Sequence, residues 1–170
     1  MLLAKELKRE GVSLEIVVSE NAKKVADHEM GGREKLLAGL RKFGRLWDED
    51  EIDAEMASGT SAPDAMAICP CSMKTLSAIA SGYSHNLITR AAEVMIKERR
   101  PLVLVVREAP LSPIHLENML KLAKLGVVVL PASPAFYTKP KSIEDMVKFV
   151  VGRVMDSLGV EHSLYRRWKG

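Results

Sequence analysis

Leu102-Val103-Leu104-Val105-Val106 is apolar at every position, and Val127 to Leu130 repeats the pattern further along the chain. A strand turns successive side chains to opposite faces, so an unbroken apolar run requires cover on both sides of its sheet. Ala65 to Ile68 is a third such run, stopped at Pro70, and Ser13 to Val18 is rich in β-branched residues suited to a fourth strand. Helical periodicity fills the intervals. Leu2 to Glu10 reads as a short amphipathic helix closed by Gly11, and Ser19 caps a helix from Glu20 to about His28. Further helices are expected over 33–43, Ser72–Ala80 (stopped by Gly82), Asn86–Glu98, Ile114–Leu125 (ended by Gly126) and Ile143–Leu158 (capped by Ser142), followed by a polar tail. The acidic stretch Asp48 to Glu55 reads as a solvated connection. Apolar strands alternating with helices predict a three-layer α/β fold with a doubly wound parallel sheet.

The chain has 170 residues, 47% hydrophobic and 28% charged, and lacks repeats and low-complexity linkers, which predicts one domain over 1–170. A net charge of +3, with both signs interspersed, does not make the basic stripe that nucleic acid requires. No apolar run approaches the roughly 20 residues that cross a bilayer. The Lys/Glu-containing start does not resemble a signal peptide, so no membrane partner and a cytoplasmic location are expected. Cys69 and Cys71 flank a single proline, too close for an ordinary structural disulfide, and read as free thiols. His28, His85, His115 and His162 are scattered without metal-ligand spacing, so no metal is expected. The methionines at 66, 73, 95, 119, 146 and 155 fit apolar positions and read as core filling.

In a parallel α/β sheet the ligand crevice lies beyond the carboxyl ends of the strands. The residues that follow the predicted strands are polar there: Ser19; Ser72-Met73-Lys74-Thr75; Arg107-Glu108; and Pro131 to Tyr137. Helix N-termini at Ser19 and Ser72 offer unpaired N–H groups and a positive dipole end, which suit a phosphate. Singly, each residue has an ordinary reading as cap, solvated cation or surface ion pair; together, along one edge, they suggest a phosphate-bearing ligand. Arg90 and Lys97 are seven apart and share a helix face, which either turns to the crevice and holds a second phosphate or is a solvated side or subunit contact. Tyr137 and Arg153 are open in the same way. Glu29 and Glu108 are candidate acid–base groups, because partial burial near the crevice would raise a carboxyl pKa.

Several stretches, in order, resemble one family: Pro70-Cys71-Ser72-Met73-Lys74-Thr75-Leu76-Ser77, Leu87-Ile88-Thr89-Arg90-Ala91-Ala92, Lys97-Glu98-Arg99-Arg100-Pro101-Leu102-Val103-Leu104, Val106-Arg107-Glu108 and Pro134-Ala135-Phe136-Tyr137. From about Leu2 to Trp168 the chain is similar to the UbiX-type flavin prenyltransferases, which have a Rossmann- or flavodoxin-like fold. The resemblance implies FMN, in reduced form, held by Ser19, Ser72 to Thr75 and Arg107. It implies dimethylallyl phosphate gripped by Tyr137, Arg153, Lys97 and Arg90, with Lys97 also catalytic beside the acid–base carboxylates Glu29 and Glu108, and Trp168 closing over the site. The implied reaction joins the dimethylallyl group to N5 and C6 of the flavin. It is metal-independent, because Lys and Arg supply the positive charge that Mg²⁺ supplies in many diphosphate-using prenyltransferases. A UbiD-type decarboxylase is the implied recipient of prenylated FMN, and a large homo-oligomer is expected, with the dodecamer as a candidate size.

Family members begin with a strand and a Gly-x-Ser/Thr-Gly-Ala-Ser-Gly turn, whereas this sequence opens at Met1-Leu2-Leu3, within the helix that follows, so the usual first strand is expected to be lacking. Two rival functions are an FMN-dependent cysteine decarboxylase of related fold and a non-catalytic FMN-binding or assembly subunit of a decarboxylase. The cationic set and the Tyr137 segment match the prenyltransferases better.

Overall fold

The computed structural model describes residues 1–168. In chain order the regular elements are α1 (Leu2–Arg9), β1 (Glu15–Val18), α2 (Glu20–Glu29), α3 (Arg33–Leu40), β2 (Arg45–Asp48), β3 (Met66–Cys71), α4 (Met73–Ser81), α5 (Leu87–Lys97), β4 (Leu102–Val106), α6 (Pro113–Lys124), β5 (Val128–Pro131) and α7 (Ile143–Ser157). Short 3₁₀ turns cover Glu55–Ala57 and Phe136–Thr138. The helices begin where short polar side chains can accept a first-turn N–H. Ser19, Ser72, Asn86, Ser112 and Ser142 each take one, and the last three form reciprocal capping boxes.

All strand pairs are parallel, as the apolar runs require, and they form two ladders: β1 with β2, and β3–β4–β5. One element was not anticipated. Arg45-Leu46-Trp47-Asp48 is charged at both ends, yet it pairs residue for residue with Glu15 to Val18. Among the described residues no ladder joins β1 to β3. The two halves meet instead through packing, since Val17 and Trp47 from one and Met66 from the other lie against Ala54, Met56, Ala57, Leu87 and Ala91.

β4 is the centre of the fold. Its five residues are all buried, with Leu102, Leu104 and Val106 packed among α4, α5 and α6, and Val103 and Val105 against Val154 of α7 and Leu3 of α1. This period-two division makes the three layers and leaves the carboxyl ends of β3, β4 and β5 in line. Cys71 pairs with Val106, and Val106 with Pro131. The register of β3 shifts between Ile68 and Cys71, just before α4 begins.

Candidate active site

Ser72, Arg107 and Ala132 each follow one of those aligned residues, so they stand on neighbouring strands roughly 4.8 Å apart at one edge of the sheet. Ser72 Oγ accepts the Thr75 N–H at 3.2 Å and lies 3.1 Å from Thr75 Oγ1. The first-turn N–H groups of Met73 and Lys74 have no partner within a helix by construction, and they face outward at the positive end of α4. Lys74 and Arg107 are exposed beside them, and Glu108 turns one carboxylate oxygen back to accept the Ala109 N–H at 3.1 Å. Cys71, directly before the cap, is 1% exposed, and burial pushes its thiol up to about 12. It is a neutral packing group rather than a nucleophile.

The second predicted phosphate end is built differently. Ser19 caps α2 by accepting from Ala22, but the next N–H, that of Glu20, donates to Glu49 Oε1 at 2.6 Å. The other oxygen of Glu49 accepts from Asn86 Nδ2, and its backbone carbonyl accepts from Leu87 N–H at 2.7 Å. Glu49 thus ties the starts of α2 and α5 together, a role not foreseen in the stretch expected to be a solvated connection. Glu29 is exposed at the far end of α2, ten residues and about 15 Å of helix rise from Ser19. It lines a separate cleft of about 540 Å³ with Met1, Met30, Gly31, Lys35 and Leu36.

Tyr137 and Arg153 belong to one aromatic and cationic group, linked through Phe149 and Tyr165. The Tyr137 ring lies 6.0 Å from Phe149 and 5.4 Å from Trp168, edge-on to both. Phe149 lies 4.8 Å from Tyr165, whose hydroxyl is 3.4 Å from Arg153 Nη1. Asp156, His162, Tyr165 and Arg167 belong to this group and were not singled out from the sequence. The spacing of Arg153 and Asp156 on one helix, three apart, was the available signal for the first of them.

Arg90 and Lys97 stand elsewhere. Both are exposed on α5 and paired along the helix, Arg90 with Glu93 at 3.5 Å and Lys97 with Glu98 at 3.2 Å. Lys97 ends the helix that leads into the start of β4, whereas Arg107 follows the end of that strand, so roughly 16 Å of strand separates the two edges. Within one chain, no described contact joins either residue to Tyr137 or Arg153.

The residues present fit a flavin mononucleotide at the α4 edge, as judged by their donor chemistry. Two free first-turn N–H groups, the Ser72 and Thr75 hydroxyls, and the Lys74 and Arg107 cations together suit an anionic, oxygen-rich ligand.

Comparison with known proteins gives a consistent result. The flavoprotein family model matches residues 1–155. Flavin prenyltransferase UbiX of Methanocaldococcus jannaschii is 45% identical over 163 residues, which span 96% of this chain and 88% of that protein. The crystal structure of AnUbiX (PadA1) in complex with FMN and dimethylallyl pyrophosphate has a TM-score of 0.94 at 40% identity, covering 99% of this chain and 89% of that one. A dodecameric FMN-dependent UbiX-like decarboxylase from Escherichia coli O157:H7 has a TM-score of 0.91 at 43% identity, covering 99% and 91%.

Proposed function

Because the chain belongs to the UbiX family of flavin prenyltransferases, we propose that it transfers the dimethylallyl group of dimethylallyl phosphate to N5 and C6 of reduced FMN. It would do so as one flavin-binding unit within a homo-oligomer, in the cytoplasm, releasing prenylated FMN to a UbiD-type decarboxylase. The observation that carries the reading is the meeting of Tyr137, Arg153 and Trp168 around Phe149 and Tyr165. A cation and aromatic faces in one place are what an allylic phosphoester needs.

Reduced FMN, when bound, supplies the nitrogen and carbon that accept the allyl group. Ser72, the Met73 and Lys74 N–H groups, Thr75 and Arg107 are proposed to hold it, with Ser19, at the end of β1, as a further proposed contact. When the allylic C–O bond breaks, its electron pair leaves with phosphate. Arg153 and the Tyr137 hydroxyl stabilise that growing charge, while the Tyr137 and Trp168 rings border the allyl cation. Closing the ring onto C6 would require a proton delivered to the remaining C=C bond and a proton removed from C6, and Glu108, which accepts the Ala109 N–H through one carboxylate oxygen, is the group proposed to exchange it. Glu29, at the far end of α2, is proposed as a second proton-transfer group that reaches the site of another copy of the chain.

Lys97 lies at the opposite edge of the sheet from Arg107, and no described contact joins Arg90 to Tyr137 or Arg153, so both are proposed to complete the phosphate site of a second copy. The dodecameric state of the E. coli relative supports that reading. The test is anaerobic incubation with reduced FMN and dimethylallyl phosphate. A flavin product heavier by one C5 unit is expected, and unmodified flavin recovered from folded, FMN-loaded protein overturns the proposal.

A further inference from the structure

The Asp156 carboxylate accepts from four donors, two on each oxygen. Oδ1 takes His162 Nε2 at 3.1 Å and Arg167 Nη2 at 2.8 Å. Oδ2 takes Arg153 Nη1 at 3.0 Å and the Tyr165 hydroxyl. Four donors fill the acceptor capacity of a carboxylate. Three of them come from the segment that follows α7, and the fourth is the proposed phosphate-binding arginine. The Asp156 side chain is only 16% exposed, and that of His162 only 2%.

The His162 ring is fixed from its other side as well. Its Nδ1 accepts the Leu164 N–H at 3.1 Å, so the proton sits on Nε2 and points at Asp156. Burial pushes the Asp156 carboxyl up, but the hydrogen bonds from Tyr165 and Arg167 outweigh it and hold the group below the ordinary aspartate range. A separate feature of α7 serves the same contact. A Cβ on Gly152 would stand 2.6 Å from His162 Cε1 and 2.7 Å from the Tyr165 ring, so only glycine admits the two rings this close to the helix. A helix-interior glycine weakens a helix relative to alanine, and here it permits the docking.

Resting on the assignment of Arg153 to the substrate phosphate, we propose that Asp156 is a positioning residue that latches the segment 162–167 onto α7. The latch sets the guanidinium of Arg153 and carries Trp168 against Tyr137. The described hydrogen bonds of Arg153 use Nη1 alone, which leaves Nη2 and Nε to meet an anion in a fixed orientation. Without Asp156 the arginine keeps its charge but loses its aim.

The experiment uses the full chain loaded with FMN and carrying Trp47→Phe, so that Trp168 is the sole tryptophan. Asp156→Ala is expected to raise the KM for dimethylallyl phosphate roughly tenfold, since misorienting a binding group costs on that order, with FMN affinity within about twofold of its starting value. The anisotropy of Trp168 emission should fall as its contact with Tyr137 is lost and the exposed ring moves more freely. Added to Arg153→Ala, the same change should raise KM by less than about twofold, because the residue it positions is already gone. Arg167→Ala removes one exposed donor without burying a lone charge, and should move KM and anisotropy the same way by less; it covers the case in which Asp156→Ala does not fold. Unchanged KM in Asp156→Ala or Arg167→Ala, with Arg153→Ala impaired, overturns the latch and leaves the substrate assignment standing. If Arg153→Ala itself leaves KM unchanged, the substrate assignment fails and the positioning role falls with it.

Discussion

The two ladders share a construction, parallel strands with helical crossovers, yet they are held together by different forces. β4 buries all five of its residues among helices on both faces. In the other half only Val18 of β1 is buried, and no residue of β2 is. What links that half is largely polar: Lys23 to Glu20 at 2.6 Å and to Asp48 at 2.8 Å, Arg33 to Asp27 at 2.7 Å, and the Trp47 indole to Glu15 at 2.5 Å. Burial removes apolar surface from water wherever it occurs, whereas exposed ion pairs are weakened by solvent and salt. The β3–β4–β5 half should therefore set global stability, and the β1–β2 half should open more readily. The proposed flavin edge and the Tyr137–Arg153 group belong to the first half, and Ser19 and Glu29 to the second.

The largest expected effect tests that division directly. Leu104 is fully buried at the centre of β4, and Leu104→Ala should destabilise the protein by about 2–5 kcal/mol, the usual range for a large-to-small change in a packed core. Leu46→Ala, in the partly exposed β2, should fall below that range. Urea unfolding midpoints measure both. Equal losses would mean that the halves share one core.

A smaller effect sharpens the same contrast through two matched caps. Ser72 and Ser19 each accept the N–H three residues on, both at 3.2 Å, and each Ser→Ala change should cost about 1 kcal/mol locally. Ser72→Ala should lower global stability by that amount. Ser19→Ala should instead speed amide exchange within α2 while the global midpoint holds. Identical global losses from both caps would show the halves opening as one unit.

The same contrast explains what could be read in the sequence. The unbroken run Leu102 to Val106 specifies a buried parallel strand because no other environment satisfies it, and serines at 19, 72 and 142 mark helix starts through a contact spanning three residues. The placing of Ser72 and Arg107 side by side at one sheet edge was legible, because each directly follows a strand end. β2 was not legible. Arg45 and Asp48 contradict strand propensity, and only pairing with β1, thirty residues earlier in register, makes the segment a strand. The Asp156 group was hidden for a related reason: its donors sit in a tail that reads as polar until it folds back on α7. Arg90 and Lys97 do share a helix face, as their spacing predicts, but spacing cannot say which edge of the sheet that face occupies.

The smallest expected effect concerns the charge that links α2 to the end of β2. Lys23 is 11% exposed at its side chain, and its pKa is raised chiefly by the hydrogen bond to Asp48, then by that to Glu20, with burial opposing. A pKa higher in the folded chain than in the unfolded one gives stability that is complete below about 10.4, the unperturbed lysine value, and is lost as pH rises through the raised value. Glu20 has the opposite sign. Its carboxyl is held low first by the hydrogen bond from Lys23, so its contribution is complete above about 4.3 and fades as pH falls through the lowered value. Stability of the β1–β2 half should thus be level between these limits and decline beyond each. Lys23→Met should flatten the alkaline decline and remove the Lys23-dependent part of the acid one. The change should be the slightest of the three, because Glu20 and Asp48 are 49% and 71% exposed and water screens both partners. Urea unfolding of the two proteins followed through Trp47 emission in a Trp168→Phe background, across pH 4 to 11, measures it within the β1–β2 half, and parallel curves at the alkaline end would show that Lys23 fills space between α2 and β2 without its charge stabilising the contact.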